Sequence, residues 1–230
     1  MMKVEENLQT IRKNIQQACK NAGRRENDVN IIAVTKYVSI NRAKEAIDAG
    51  ISCLGENRME GFLAKHEAIG KEAEWHFIGS LQSRKVKEVI EDVDVIHSLD
   101  RRSLAKEIHK RATKPVSCFV QANVSGESSK HGVAKDEVVS FIEQMKDYPN
   151  IRVEGLMTMA PYTNDHEYLR SIFRTLRQLR DEVQQHHWAH APCQELSMGM
   201  SNDYQIAVEE GATYIRIGSE LVGPYEEQTS

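Results

Sequence analysis

Eight short runs rich in β-branched and other apolar residues recur along this chain, and a helical pattern separates each from the next. They cover residues 30–37, 51–55, 75–80, 93–99, 115–124, 151–160, 195–200 and 213–219. Runs of this length and composition fit buried strands. Strands that alternate with helices lie parallel, because each crossover returns the chain to the same end of the sheet. Eight such units in 230 residues predict an α/β fold, a single closed (β/α)8 TIM barrel, in preference to an open doubly wound sheet. Before the first strand, Val4, Leu8, Ile11, Ile15 and Ala18 recur at steps of four and three, which adds an N-terminal helix. A second long stripe, Leu169, Ile172, Phe173, Leu176, Leu179 and Val183, places a helix at about residues 164–185. No Pro/Gly/Ser-rich linker divides the chain, so residues 1–230 read as one domain.

Composition excludes several classes of function. A net charge of −4 leaves no basic footprint for nucleic acid. No apolar run approaches the length of a membrane span. The N-terminal stretch carries acidic residues and lacks the apolar core of a signal peptide, so a cytoplasmic location is expected. Cys19, Cys53, Cys118 and Cys193 are widely spaced, with no C-x-x-C pair. Structural zinc is therefore not expected, and Cys53 and Cys118 read as small core residues. His186, His187 and His190 read as a polar helix end and not as a metal site.

A barrel of this kind builds its site from the C-terminal ends of its strands. The first run ends on Lys36, and a lysine there either snorkels to solvent or has its amine desolvated into a nucleophile for aldehydes. The second run ends on Glu56 and Asn57, the third on Gly79 and Ser80 with His76 inside it. The sixth contributes Met157 and Met159, the seventh Ser197, Gly199 and Ser201, and the eighth Arg216, Gly218 and Ser219. The loops after the last two strands are where such barrels often hold phosphate, and their glycines and serines suit an anion. Taken singly, those glycines also suit tight turns and the serines also suit caps. Alternation puts Arg216 opposite Ile215 and Ile217, facing either the barrel interior or the helices; it is a partner for an acidic neighbour, or a donor to a ring nitrogen or an anion. His76 reads as a core histidine that can line the pocket, and Met157 as packing that can touch a ring. An amine, a phosphate cradle and an arginine at one barrel mouth suit an aromatic aldehyde phosphate, pyridoxal 5'-phosphate, held on the lysine as a Schiff base.

Six ordered motifs carry a family resemblance. They are Ala-Val-Thr-Lys-Tyr (33–37), Gly-Glu-Asn (55–57), Trp-His-Phe-Ile-Gly-Ser-Leu-Gln (75–82), Glu-Gly-Leu-Met-Thr-Met (154–159), Ser-Met-Gly-Met-Ser-Asn-Asp (197–203) and Arg-Ile-Gly-Ser (216–219). Together they resemble the YggS/PROSC family of pyridoxal phosphate homeostasis proteins, in its Bacillus-type YlmE branch, over nearly the whole chain. The resemblance implies a fold-type III barrel similar to the N-terminal domain of alanine racemase. It implies Lys36 as the Schiff-base lysine, with Ser197 or Ser201, Gly218 and Ser219 around the phosphate. It also implies Arg216 at the pyridine nitrogen, and Asn57, His76 and Met157 along the ring pocket. The implied role is to bind, buffer and deliver the cofactor within vitamin B6 homeostasis, with apo pyridoxal phosphate enzymes as recipients and no robust turnover.

Two other functions compete. An amino-acid racemase needs the ring as an electron sink, which an arginine at the pyridine nitrogen weakens, and a second acid–base group on the opposite face. Only 11 residues follow Ser219, which leaves no room for the second domain that completes alanine racemase. A sugar-phosphate isomerase would use Glu56 as its base, against a plain reading of Glu56 as a helix N-terminal charge. A monomer is expected. The polar loop 125–132, with Lys130 and His131, reads as a mobile solvated loop or a lid.

Overall fold

A computed structural model describes residues 3–127 and 131–224. Its strands are β1 Asn30–Val34, β2 Cys53–Glu56, β3 Glu74–Phe77, β4 Val95–Leu99, β5 Val116–Asn123, β6 Val133–Ala134, β7 Ile151–Met157, β8 Glu195–Met200 and β9 Tyr214–Ile217. The helices are α1 Val4–Asn21, α2 Ile40–Asp48, α3 Met59–Ile69, α4 Val86–Val89, α5 Arg102–Arg111, α6 Val138–Gln144, α7 His166–Gln184, α8 Tyr204–Glu209 and α9 Ser219–Val222. Strand order is β4-β3-β2-β1-β9-β8-β7-β5-β6, and a further β4–β5 pairing closes the ring. Every ladder is parallel. The expected eight-stranded (β/α)8 barrel is therefore present, with two-residue β6 appended beside β5. β6 was not foreseen, since two residues carry no periodicity. The 128–130 part of the 125–132 loop, Lys130 included, lies outside the described residues, as do Met1, Met2 and residues 225–230.

Several strands stop short of their apolar runs. β1 ends at Val34, not Tyr37, and β9 at Ile217, not Ser219. The ladder fails there because β2, the neighbour of β1, stops at Glu56. Chain beyond that point turns outward and walls the mouth. Ser39 caps α2 by accepting from the Arg42 N–H. Asp100 does not cap α5; it pairs with Arg101, the true N-cap residue. α8 begins at Tyr204, and Asp203 before it accepts from the Met200 N–H at 2.6 Å.

Two apolar regions follow from the alternation of side chains across each strand. The larger lies between sheet and helices, and the stripe of α7 from Leu169 to Val183 is buried in it, each large side chain contributing about 1.5–3 kcal/mol. The smaller comprises Val95, Phe119 and Met157 with Tyr214 inside the barrel. α1 buries Val4, Leu8, Ile11 and Ile15 on one face. Asn14 of α1 donates to the Tyr204 hydroxyl at 2.8 Å, and Asn7 donates to the Leu221 carbonyl at 2.9 Å. Arg42 of α2 likewise donates to the Val222 carbonyl at 2.8 Å. Short α9 is thus tied down by two other helices.

Gly155 in β7 sits where a Cβ would overlap the backbone carbonyl of Glu195 in β8. Gly155→Ala must push the two strands apart, and is expected to cost about 2–3 kcal/mol. Urea unfolding checks this; a change under about 0.5 kcal/mol would show that the β7–β8 contact is soft.

Candidate functional site

A cavity of about 550 Å³ opens at the C-terminal ends of the strands, a size that suits a small cofactor. Lys36, Asn57, Ser201, Arg216, Gly218 and Ser219 all line it. They come from four separate segments, after β1, β2 and β8 and along the end of β9 into α9. Sequence-distant polar groups have therefore converged on one place.

Lys36 stands two residues beyond β1, half-buried, in a turn rather than on the strand itself. Its Nζ lies 4.8 Å from the centroid of the Tyr37 ring, which holds the amine by cation–π attraction at the cavity wall. Across the cavity, Ser201 follows β8 and Ser219 opens α9. The first N–H groups of any helix have no intrahelical acceptor, so the start of α9 offers donors beside the Ser219 hydroxyl. Asn57 Oδ1 is buried with no hydrogen-bond partner, an acceptor left to the contents of the cavity.

Arg216 faces inward, which resolves the alternation. It is 4% exposed and donates to Ser197 Oγ at 2.6 Å and to the Thr158 carbonyl at 2.9 Å. Both acceptors are neutral. Burial pushes the guanidinium down to about 10, with Asp203 partly opposing the shift, so it stays charged at neutral pH. A buried cation held by neutral acceptors is ready for an electron-rich ligand atom.

His76, Met157 and Ser197 do not reach the cavity. All three are almost fully buried in the layer beneath it. Met157 packs with Val95 and Phe119. His76 Nδ1 meets His97 Nε2 at 2.8 Å, and His97 Nδ1 meets Ser197 Oγ at 3.0 Å. A polar column thus climbs the barrel from His76 through His97 and Ser197 to Arg216. Burial, then the electrostatic influence of the neighbouring His76 and Arg216, holds His97 well below the usual histidine range and keeps it neutral. His97 stacks on Phe119 with centroids 4.5 Å apart. Sequence reasoning passed over His97 and Gln121; the parity argument applied to Arg216 would have turned both inward as well.

Glu56 is not at the mouth. Its side chain is fully buried on the outer face of β2, where Oε1 accepts from Thr35 Oγ1 at 2.6 Å and pairs with Lys65 Nζ at 3.0 Å. A carboxylate clamped against α3 is a structural charge, which removes the base an isomerase would need. Gly199 does not line the cavity either. Its φ of +95° and the 2.6 Å that would separate a Cβ from Ala207 Cβ make it a packing glycine under α8.

The profile of the alanine racemase N-terminal domain matches residues 7–226. A pyridoxal phosphate homeostasis protein of Aquifex aeolicus is 44% identical over 222 residues, covering 95% of this chain and 96% of the relative. Among solved structures, PipY of Synechococcus elongatus with PLP bound superposes with a TM-score of 0.82 and 29% identity, over 96% of this chain and 100% of that one. Alanine racemase of Clostridium difficile shares the fold with a TM-score of 0.78 and 16% identity, this chain covering 58% of it.

Proposed function

The chain belongs to the pyridoxal phosphate homeostasis proteins, within the alanine racemase N-terminal domain family, and from that premise we propose that it binds pyridoxal 5'-phosphate at this barrel mouth as part of vitamin B6 homeostasis. The single observation that carries the reading is the convergence of Lys36, Arg216 and the Ser201 and Ser219 segments on one cavity. The unpaired Asn57 Oδ1 there fits a polar ring substituent. Residues 1–230 act as one binding unit in this reading.

When bound, the cofactor supplies an aldehyde carbon and a phosphate on one aromatic ring. Lys36 brings the amine for the carbonyl. Ser201, Gly218 and Ser219 orient the phosphate with hydroxyl and backbone N–H donors. Arg216 offers N–H donors and no acceptor, so it would suit an unprotonated ring nitrogen and would withhold the proton that makes the ring a strong electron sink. Ser197 and Thr158 hold the guanidinium in place. His76, Met157 and Ser197 support this floor from below. The arrangement favours retention over turnover, against the competing reading of a weak amino-acid racemase. We further propose a cytoplasmic monomer that passes its cofactor to apo enzymes. Among the described residues no helix is long and apolar enough to cross a membrane, and Tyr37 and Met159 leave the rim exposed.

Borohydride reduction of the loaded protein, followed by peptide mapping, is expected to place one label on Lys36. Arg216→Met is expected to weaken binding about tenfold, or ~1.4 kcal/mol, with the label still on Lys36. Loaded protein mixed with an apo enzyme and a trap for free cofactor is expected to restore activity despite the trap. Labelling on another lysine, or no uptake at all, removes the reading.

A further inference from the structure

The opposite end of the barrel carries a second cluster. Cys53 and Glu74 are paired neighbours across β2 and β3, and His76 lies two residues beyond Glu74 on the same face. One ligand atom from each of the three lies within 4.8 Å of the others. Cys53 Sγ is 3.4 Å from Glu74 Oε2, and His76 Nε2 is 3.6 Å from the same oxygen. Bond lengths of about 2.3 Å to sulfur and about 2.0–2.2 Å to nitrogen or oxygen put tetrahedral neighbours roughly 3.3–3.6 Å apart. Two of the three pairs already stand at that separation, and the third, Cys53 to His76, lies within 4.8 Å.

A second observation concerns the histidine itself. His76 is fully buried, and its Nε2 makes no hydrogen bond of normal length; Glu74 Oε2, a carboxylate oxygen of the same cluster, lies 3.6 Å away. The other nitrogen, Nδ1, is engaged by His97 Nε2 at 2.8 Å. If His76 carries its proton on Nδ1 and donates it to His97, a lone pair is left on Nε2, aimed at Cys53 and Glu74. A histidine ligand is usually oriented by such a bond on its far nitrogen.

We propose that Cys53, Glu74 and His76 form a binding site for one zinc(II)-type cation, with water as the fourth ligand. Thiolate, imidazole and carboxylate together select a borderline-soft, tetrahedral ion over magnesium or calcium. Glu74 is 44% exposed and borders a cleft that also carries Glu72, Glu91, Asp92 and Asp94, with Lys71 and Lys114 opposing them. The balance is acidic, which draws a cation to the entry. On binding, the Cys53 thiol gives its proton to the buffer as the sulfur–metal bond forms, and no electron changes hands. The spacing rule that argued against zinc looks for ligands close in sequence; here they are assembled by strand register.

The test is a zinc titration of the full chain in competition with a chromophoric chelator, with cobalt(II) absorption as the second readout. Wild type is expected to take up one equivalent with Kd below ~1 μM and to show a thiolate-to-cobalt charge-transfer band. Cys53→Ser is expected to lose that band and at least a hundredfold in zinc affinity. Glu74→Gln, a surface change that leaves the fold intact, should weaken binding about tenfold. Circular dichroism of each variant separates lost ligands from lost structure. Absence of tight uptake by wild type overturns the site, as does equal affinity in a folded Cys53→Ser or Glu74→Gln. Cofactor uptake at the opposite mouth is measured in the same samples, so failure of one site is distinguishable from failure of the other.

Discussion

Replacing Lys36 with alanine is expected to abolish covalent retention of pyridoxal phosphate while leaving the barrel folded. The side chain is half-buried, beyond the end of β1, and engaged with Tyr37. Its loss therefore removes little packing, and the melting temperature should move by only a few degrees. The amine, by contrast, is the group proposed above to join the aldehyde carbon. Borohydride should then fix no label, the loaded protein should lose its yellow colour, and apparent affinity should fall more than ~100-fold, or ~2.7 kcal/mol. What remains is binding through the donors of Ser201, Gly218, Ser219 and Arg216, and it should weaken further as salt screens the phosphate. A Lys36→Ala protein that retains the colour and a covalent label would place the chemistry elsewhere.

The largest expected loss of stability comes from a residue outside the cavity. Lys65→Met should lower the free energy of unfolding by about 3–5 kcal/mol, a drop of roughly 10 °C in melting temperature. Lys65 is 5% exposed and Glu56 is fully buried, so removing the ammonium strands a carboxylate whose Oε2 already lacks a partner. Thr35 Oγ1 then remains on Oε1, which is too little to compensate a buried charge. The double change Glu56→Leu with Lys65→Met should recover most of the loss, since an apolar pair of similar volume replaces the ions. Thermal melts of the wild type and the two variants decide the matter. Recovery in the double variant, with cofactor uptake intact, marks Glu56 as part of the scaffold. Loss of uptake with stability unchanged would restore Glu56 as a site residue.

The layout of the barrel was legible because each buried strand produces a compact apolar run and each helix a stripe. Arg216 could be singled out because a charge in Tyr-Ile-Arg-Ile conflicts with its surroundings. Depth along the barrel was not legible. Ser197 and Ser201 differ by four residues of chain, which at about 3.3 Å per residue separates the middle of the barrel from its mouth. Only the observed bounds of β8 show which side of the mouth each occupies. His76 and Met157 were displaced from the pocket for the same reason. Lys65 was invisible as a partner, since a lysine in an amphipathic helix reads as solvated until the register of α3 over β2 is known.

The small helix that borders the cavity, α9, has two carbonyls held by Asn7 and Arg42, one from α1 and one from α2. Vitamer residence time is therefore expected to depend partly on the outer wall. Disturbing α1 by a fusion or a truncation is expected to raise the off-rate, measured by trapping released cofactor, without touching any group that meets the ligand.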